Sequence, residues 1–205
     1  RIAPELFLKR CVVGGLEKVF EINRNFRNEG ADSSHSPEFA MLEMYWAYAD
    51  WRDMKALTQE LIQNAALAVA GSHKVTHHDG RISDLGGQWR EINFYDAISE
   101  KTGETVSPQS SFDDLKKIAQ KIGLKIDPKW IHGKLAEEIF EHVYKENLQT
   151  PTFVMGYPVD TSPLVREHRE TPGIVEKWDL YVDGFELATG YSELIDPVIQ
   201  RERLV

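Results

Sequence analysis

The amino-acid sequence predicts an α+β fold, with a mostly antiparallel sheet flanked by helices. Segments with the two-residue alternation of strands lie towards both ends of the chain, and segments with helical periodicity lie between them. The regular strand–helix alternation of a parallel α/β sheet is missing, and so are the glycine signatures of Rossmann and P-loop nucleotide sites. With 205 residues the chain can form one well-buried domain, or one domain that carries an insertion.

The first predicted element is a long antiparallel hairpin. Residues Lys18 to Phe26 alternate between apolar and polar side chains, and residues Glu38 to Tyr48 resume an extended pattern. The polar residues 28–37 between them are rich in Gly, Ser and Pro and predict a loop. Because long loops between rigid strands often carry function, this hairpin is the first place to look for a site.

A helix is predicted to follow the hairpin. Asp50 is expected to cap it and Gly71 to end it. Its apolar stripe is expected at Met54, Leu57, Leu61, Ala65 and Ala68.

The remaining elements are shorter. Short strands are expected from Val75 to Trp89; helices at Tyr95–Thr102, Phe112–Ile122 and Leu135–Asn147; and strands at Thr152–Met155, Trp178–Val182 and Phe185–Ala188. We expect residues 1–205 to belong to one domain, with a small helical insertion over 107–150.

Composition excludes several classes of protein. The net charge of −9 argues against a broad nucleic-acid surface on this chain, because phosphate contacts need clustered Lys and Arg. The single cysteine, Cys11, excludes a disulfide framework and a multi-cysteine zinc site. No run approaches the roughly 20 apolar residues of a membrane span. We therefore expect a cytoplasmic protein that has no membrane as a partner.

A pair of carboxylates predicts a metal site near the end of the chain. Asp183-Gly184 indicates a two-residue turn, which would pair Val182 with Phe185, Tyr181 with Glu186, and Asp179 with Ala188. Asp179 and Glu186 would then be diagonal neighbours on one face and could share a divalent cation. The alternative is two solvated acids on an exposed face. Gly190 further along predicts a close approach by a ligand, or a bulge that redirects Glu193.

The hairpin carries a second set of polar side chains. Arg27, on a rigid strand, suits a bidentate grip on phosphate or carboxylate. Phe39 offers a stacking surface, and Glu43 beside Tyr45 can bind an ammonium group. The alternative is a polar face that is merely wet. The pair His77-His78 does not predict a metal site, because neighbouring residues on a strand point to opposite faces.

Several runs of residues resemble a known family. Residues 26–30 (FRNEG) and 34–45 (SHSPEFAMLEMY) resemble motif 2 of the class II aminoacyl-tRNA synthetases. Residues 1–6 (RIAPEL), 47–50 (AYAD) and 186–194 (ELATGYSEL) are similar to the lysine-specific branch, of the bacterial type. The resemblance covers essentially the whole chain.

The resemblance implies a fold, a reaction and roles for named residues. The reaction would be ATP-dependent activation of L-lysine and its transfer to tRNA(Lys), with Mg²⁺ as cofactor and a homodimer as the assembly. Arg27 would be the catalytic residue that holds the α-phosphate. The ATP site would comprise Arg27, Glu29, His35, Phe39 and Met41; the lysine site Glu5, Glu43, Tyr45, Thr189, Tyr191 and Glu193; and the metal site Asp179 and Glu186.

Two departures and several alternatives accompany the resemblance. Asp179 stands where the family more often has Glu, and Thr189 where it more often has Asn, which implies a shorter reach and a changed hydrogen bond. The dimer-forming motif 1 and the arginine-bearing motif 3 are not recognised, so we expect a partial catalytic domain that is weak or inactive in isolation. A paralogue that transfers lysine to a translation factor or a lipid, or a non-catalytic module, would share these residues.

Overall fold

The computed structural model describes residues 1–31 and 35–204 and divides into two compact units, Arg1–Ala49 and Asp50–Val205. Residues 32–34 of the predicted loop, of which Ser34 belongs to a motif-like run, lie outside the described residues. Helices and small sheets occur in the described chain, as expected for an α+β protein. No described helix combines the length and the apolar character that a membrane span requires.

The first unit is a helix followed by a hairpin. Helix α1 spans Glu5–Val13, strand β1 spans Lys18–Phe26 and strand β2 spans Glu38–Trp46. The strands pair antiparallel from Lys18 opposite Trp46 to Phe26 opposite Glu38, which confirms the predicted hairpin. Strand β2 ends two residues earlier than predicted, because Tyr48 adopts a positive φ of 67° in the turn that follows. The sequence pattern did not predict α1.

The two faces of this hairpin differ in character. Phe20, Ile22 and Phe26 of β1 are exposed on one face. The opposite face bears the buried Asn25 of β1 and Tyr45 of β2. Lys9 of α1 lies over the Tyr45 ring. Helix α1 therefore covers the face that holds the polar candidate residues.

Helix α2, Trp51–Ala70, opens the second unit with the caps that the sequence predicts. Asp50 and Asp53 form a reciprocal capping box, and Gly71 ends the helix with a φ of 67°. The predicted apolar stripe is displaced. Leu61, Ala65 and Ala68 are exposed, and the packed positions are instead Trp51, Met54, Thr58, Ile62 and Ala66. The buried stripe follows the bulky Trp51, which an apolar periodicity starting at Met54 overlooks.

The rest of the second unit alternates short strands and helices. Strands β3 (Lys74–Thr76) and β4 (Ile82–Asp84) form a small hairpin, and β5 (Arg90–Asn93) leads into α3 (Phe94–Thr102). Helices α4 (Phe112–Lys121) and α5 (His132–Tyr144), a 3-10 turn at Lys145–Asn147 and strand β6 (Thr152–Met155) come next. A 3-10 turn at Val159–Thr161, β7 (Lys177–Val182), β8 (Phe185–Tyr191) and α6 (Pro197–Leu204) complete the described chain.

Strands β5 to β8 form a four-stranded sheet in that order, with β5 parallel to β6 and the other neighbours antiparallel. One sheet face contributes Val154 and Tyr181 to a core with α3, α4 and α5. The other face contributes Phe153, Trp178 and Leu180 to a second core with α2. The sheet therefore separates α2 from the helices that cover the face of Asp179.

Candidate active site

A β-bulge in the β7–β8 hairpin sets the faces of the candidate residues. Val182 pairs with Phe185 and Tyr181 with Glu186, as predicted, but Leu180 pairs with Ala188, so Leu187 is an extra residue. The predicted pairing of Asp179 with Ala188 is wrong, because the bulge moves Thr189 opposite Asp179.

The bulge brings residues of opposite parity to one face. Paired residues share a face, so Glu186 lies on the face of Tyr181, and Thr189 lies on that of Asp179. Tyr181 and Asp179 are two residues apart on β7 and therefore also share this face. Without the extra residue, Glu186 and Thr189 would point to opposite sides. The bulge therefore places the predicted metal pair and two predicted lysine-site residues, Thr189 and Tyr191, on the same side.

Asp179 is buried and only partly satisfied. Its Oδ2 accepts a hydrogen bond from Lys177 Nζ at 2.8 Å. Its Oδ1 is buried, and none of the described residues bonds to it. A buried carboxylate oxygen without a partner is costly, and a cation is the group that would satisfy it. Asp179 is therefore not a solvated acid, as the alternative requires, whereas the Glu186 side chain is exposed.

Glu186 responds to the neighbouring carboxylate. Two causes raise the pKa of Glu186 to about 7: chiefly the loss of hydration, and second the negative charge of Asp179. Lys177 acts in the opposite direction on the same group. The charge of Asp179 disfavours the ionised form of Glu186, and a divalent cation bound between the two carboxylates would favour that form.

Asp179 and Glu186 open into a cavity of about 260 Å³ beside α5. Its described lining is strongly acidic, with five carboxylates (Glu137, Glu138, Glu141, Asp179 and Glu186) against two ammonium groups (Lys134 and Lys177). The lining also includes the Tyr157 and Tyr181 rings. Burial, and then the charge of Asp179, raises the pKa of Tyr157 well above its ordinary value, so its hydroxyl stays protonated.

The other candidate residues on β8 have different neighbours. The Thr189 hydroxyl donates to the backbone oxygen of Trp178 at 3.2 Å, and Tyr191 packs against the core that includes α5. Just beyond β8, the backbone of Glu193 forms an isolated antiparallel β-bridge with Val165. Gly190 does leave room for a close approach, but the approaching group is the buried Trp178 ring rather than a ligand, and the bulge lies at Leu187.

The candidate residues of the first unit form a polar cluster under α1. The Tyr45 hydroxyl donates to Glu43 Oε1 at 2.8 Å. Burial raises the pKa of Glu43, and this hydrogen bond acts in the opposite direction. The charges of Glu5, Lys9 and Arg27 also act on the Glu43 carboxylate, which places predicted residues from three elements close together.

An alkylammonium group already lies in this cluster. Lys9 Nζ is 2.6 Å from Glu5 Oε1 and 5.8 Å from the centre of the Tyr45 ring. Two carboxylates and an aromatic ring are groups that bind ammonium. The cluster therefore has the chemistry to hold a lysine side chain.

Arg27 and Phe39 form a contact that the sequence did not predict. The Arg27 guanidinium lies over the Phe39 ring, 5.1 Å from its centre, and its Nε donates to the backbone oxygen of Ile2 at 3.1 Å. Phe39 faces Asn25 and Met41 faces Asn23 across the hairpin, on the side that carries Tyr45. A base that stacked on the ring face covered by Arg27 would have to displace the guanidinium.

Glu29 and His35 lie on either side of the loop residues that the structure does not describe. His35 Nε2 is 4.0 Å from Glu29 Oε2, so the loop brings these two predicted ATP-site residues together.

Sequence reasoning missed several of these groups. Lys177 is two residues before Asp179 and so on its face, a signal that strand parity alone offers. Lys9 is four residues after Glu5, the spacing of neighbours on a helix. Glu137 reaches the cavity from a helix more than forty residues away in sequence, and no local pattern connects it with Asp179.

Comparison with known proteins shows the family to which the chain belongs. The family model of class II tRNA synthetases (D, K and N) matches residues 1–205, and the chain belongs to this family.

Several similar proteins have names that refer to lysine. The chain is 61% identical over 206 residues to a lysine–tRNA ligase of Kineococcus radiotolerans and 56% identical over 205 residues to one of Mycolicibacterium gilvum. These alignments cover 100% and 99% of the chain but 41% of each relative, so the chain spans about two fifths of their length. It is also 48% identical over 208 residues to a lysylphosphatidylglycerol biosynthesis bifunctional protein LysX of Mycobacterium avium, of which the alignment covers 18%.

Proposed function

We propose that the protein containing this chain activates L-lysine with ATP to lysyl-adenylate and transfers the lysyl group to tRNA(Lys). The family, and the identity to two proteins named lysine–tRNA ligase, support the reaction. The observation that carries the specificity is the Glu5–Glu43–Tyr45 cluster, which already holds the ammonium of Lys9.

The first unit would supply the amino-acid and nucleotide contacts. Glu5 would receive the α-amino group of lysine, and Glu43 with Tyr45 would receive its ε-ammonium. Thr189, Tyr191 and Glu193 are also proposed as lysine-binding residues, because the resemblance to the family implies that role. Arg27, Glu29, His35, Phe39 and Met41 would bind ATP, with the adenine stacked on Phe39.

We propose Mg²⁺ as the cofactor, held by Asp179 and Glu186 of the second unit. Asp179 offers a buried oxygen without a partner among the described residues, and Glu186 shares its face. The described residues contain no group of three or more His, Cys, Asp or Glu side chains able to hold a metal. Two carboxylates suit Mg²⁺, which takes its remaining ligands from water and the phosphates of the nucleotide.

The reaction would need no nucleophile from the protein. The lysine carboxylate would attack the α-phosphorus of ATP, pyrophosphate would leave, and the tRNA ribose hydroxyl would then accept the lysyl group. Arg27 would orient the carboxylate and stabilise the charge that develops on the α-phosphate. Mg²⁺ would supply screening of the phosphate charge.

The direct test is ATP–pyrophosphate exchange by the full-length protein with each of the twenty amino acids. We expect exchange that depends on lysine. Exchange with another amino acid and none with lysine would overturn the assignment, and no exchange with any amino acid would indicate a non-catalytic module.

A second acceptor is supported by one observation. The relative from Mycobacterium avium, 48% identical to this chain, is named for lysylphosphatidylglycerol biosynthesis. A lysyltransferase that modifies a lipid or a translation factor would use the same activation residues. Incubating the full-length protein with labelled lysine, ATP and either tRNA, phosphatidylglycerol vesicles or a translation factor distinguishes the acceptors by which one becomes labelled.

The wider architecture is part of the same proposal. We infer a mostly antiparallel class II sheet within a catalytic domain that includes residues 1–205, with 107–150 as a helical insertion. A homodimer located in the cytoplasm, where tRNA and ATP are available, is the assembly that the family suggests. Sedimentation of the full-length protein tests the dimer.

A further inference from the structure

Lys177 lies among the acidic side chains that line the cavity of Asp179 and Glu186. Its Nζ bonds to Asp179 Oδ2 at 2.8 Å and lies 4.3 Å from the centre of the Tyr157 ring. The Lys177 side chain is only 20% exposed. A partly buried ammonium held between a carboxylate and an aromatic face has little freedom to move into solvent.

The other charged pairs around the cavity involve different partners. Lys134 Nζ is 2.7 Å from Glu138, and Lys145 Nζ is 3.0 Å from Glu141. Burial raises the pKa of Glu137 and of Glu186, and the charge of Lys177 acts in the opposite direction on both. Asp179, Glu137 and Glu186 thus share the field of the Lys177 ammonium.

We propose that Lys177 is a positioning residue that acts as a resident counter-ion of the Asp179–Glu186 pair and weakens its affinity for divalent cations. Lys177 binds one oxygen of Asp179 and leaves Oδ1 open, so it holds the carboxylate in place without filling the site. This inference rests on the metal pair proposed above.

Two opposite effects follow from this position. In the metal-free protein, Lys177 offsets the repulsion between the buried Asp179 and the neighbouring Glu186 and so stabilises the fold. When a divalent cation binds Oδ1, the ammonium on the neighbouring oxygen repels it. A purely structural lysine has only the first effect, and its loss would disorder the pair and weaken metal binding.

The test is direct binding of Mn²⁺ to the full-length protein without nucleotide, followed by electron paramagnetic resonance. The proteins are wild type, Lys177→Gln, Asp179→Asn and the double variant. Lys134→Gln is the matched control, because it also removes an ammonium from the cavity lining, but one that pairs with Glu138. Thermal unfolding with and without Mn²⁺ is measured on the same samples.

We expect Lys177→Gln to bind Mn²⁺ at least about tenfold more tightly than wild type, since an ammonium a few ångströms from a divalent ion is strongly repulsive. Asp179→Asn should abolish this binding in both backgrounds, and Lys134→Gln should change it less than about threefold. Without Mn²⁺, Lys177→Gln should melt at a lower temperature than wild type, and Mn²⁺ should restore the loss.

Two outcomes overturn the inference, and they are distinguishable. Equal or weaker Mn²⁺ binding by Lys177→Gln, with loss of binding in Asp179→Asn, removes the role of Lys177 and leaves the metal pair intact. Binding that is insensitive to Asp179→Asn in both backgrounds, or no binding by wild type and Lys177→Gln, removes the metal pair and this inference with it. Lysine-dependent exchange, measured separately, reports on the reaction itself.

Discussion

The Tyr45 hydroxyl donates a hydrogen bond to Glu43 Oε1 at 2.8 Å, between two residues that share one face of strand β2. The bond stabilises the ionised form of a carboxyl whose pKa burial raises. An ionised Glu43 is what an ammonium ligand needs. The pair therefore links the chemistry of one carboxylate to the proposed preference for lysine.

The first prediction concerns this hydrogen bond. In the full-length protein, Tyr45→Phe should raise the KM for lysine by about tenfold, because a hydrogen bond to a charged group contributes about 1.5–3 kcal/mol. The KM for ATP should change little. Lysine-dependent ATP–pyrophosphate exchange at varied substrate concentrations measures both.

Tyr48→Phe is the matched control, because it makes the same change at a fully exposed side chain in the next turn. If Tyr45→Phe and Tyr48→Phe showed the same KM for lysine, the proposed role of the Glu43–Tyr45 pair would be wrong.

The second prediction concerns the pH dependence of stability. The pKa of Glu186 is raised from 4.5 to about 7, so the folded state holds this proton more tightly than the unfolded state. Protonated Glu186 therefore stabilises the folded state below about pH 4.5, and this stabilisation is lost as the pH rises to about 7. Glu186→Gln in a chelator should therefore melt above wild type at pH 8, and the difference should shrink towards pH 4.

Glu202→Gln on α6 is the control, since it makes the same change at an exposed glutamate that does not line the cavity of Asp179. A Glu186→Gln protein that melted below wild type at pH 8 would contradict the destabilising charge assigned to Glu186.

The third prediction concerns the close approach of Gly190 to the core. A Cβ at position 190 would lie 2.2 Å from Trp178 Cζ2, and Trp178 is held by a 2.8 Å hydrogen bond from its Nε1 to the Trp51 carbonyl. Gly190→Ala should lower the free energy of unfolding by about 1–3 kcal/mol, because a large buried ring must shift. Urea unfolding measures the change.

Thr189→Ala tests whether any change on this strand has the same effect. It removes one hydroxyl that bonds to a backbone carbonyl, and it should cost about 1 kcal/mol or less. Equal stability of Gly190→Ala and wild type would show that the strand and ring adjust without cost.

The fourth prediction concerns the start of α5. This helix has no side-chain cap from its own N-cap residue, Ile131, and Asp160 Oδ2 instead accepts from the Gly133 amide at 2.8 Å. Asp160→Ala should lower the free energy of unfolding by about 1 kcal/mol, as loss of a helix cap does. Hydrogen exchange at the Gly133 amide should accelerate.

Asp160→Asn is the matched variant, because it keeps an oxygen acceptor at the same place and should retain most of the stability. An unchanged exchange rate at Gly133 in Asp160→Ala would rule out the cap.

The sequence alone determined the locally encoded parts of this protein. The β1–β2 hairpin, the Asp50 cap of α2 and the Asp183-Gly184 turn follow from alternation, capping and turn chemistry. The motif-like runs also indicate the family without any knowledge of the fold. These features depend on residues close together in the chain.

Tertiary structure decided the parts that depend on distant residues. The stripe of α2 shifted to Trp51, Thr58 and Ala66 because a helix buries the side that its sheet offers, whatever its apolar periodicity suggests. The extra residue at Leu187 placed Glu186 and Thr189 on one face, since a single inserted residue reverses the parity of everything after it. Glu137 joined Asp179 at one cavity only because α5 packs over that face of the sheet.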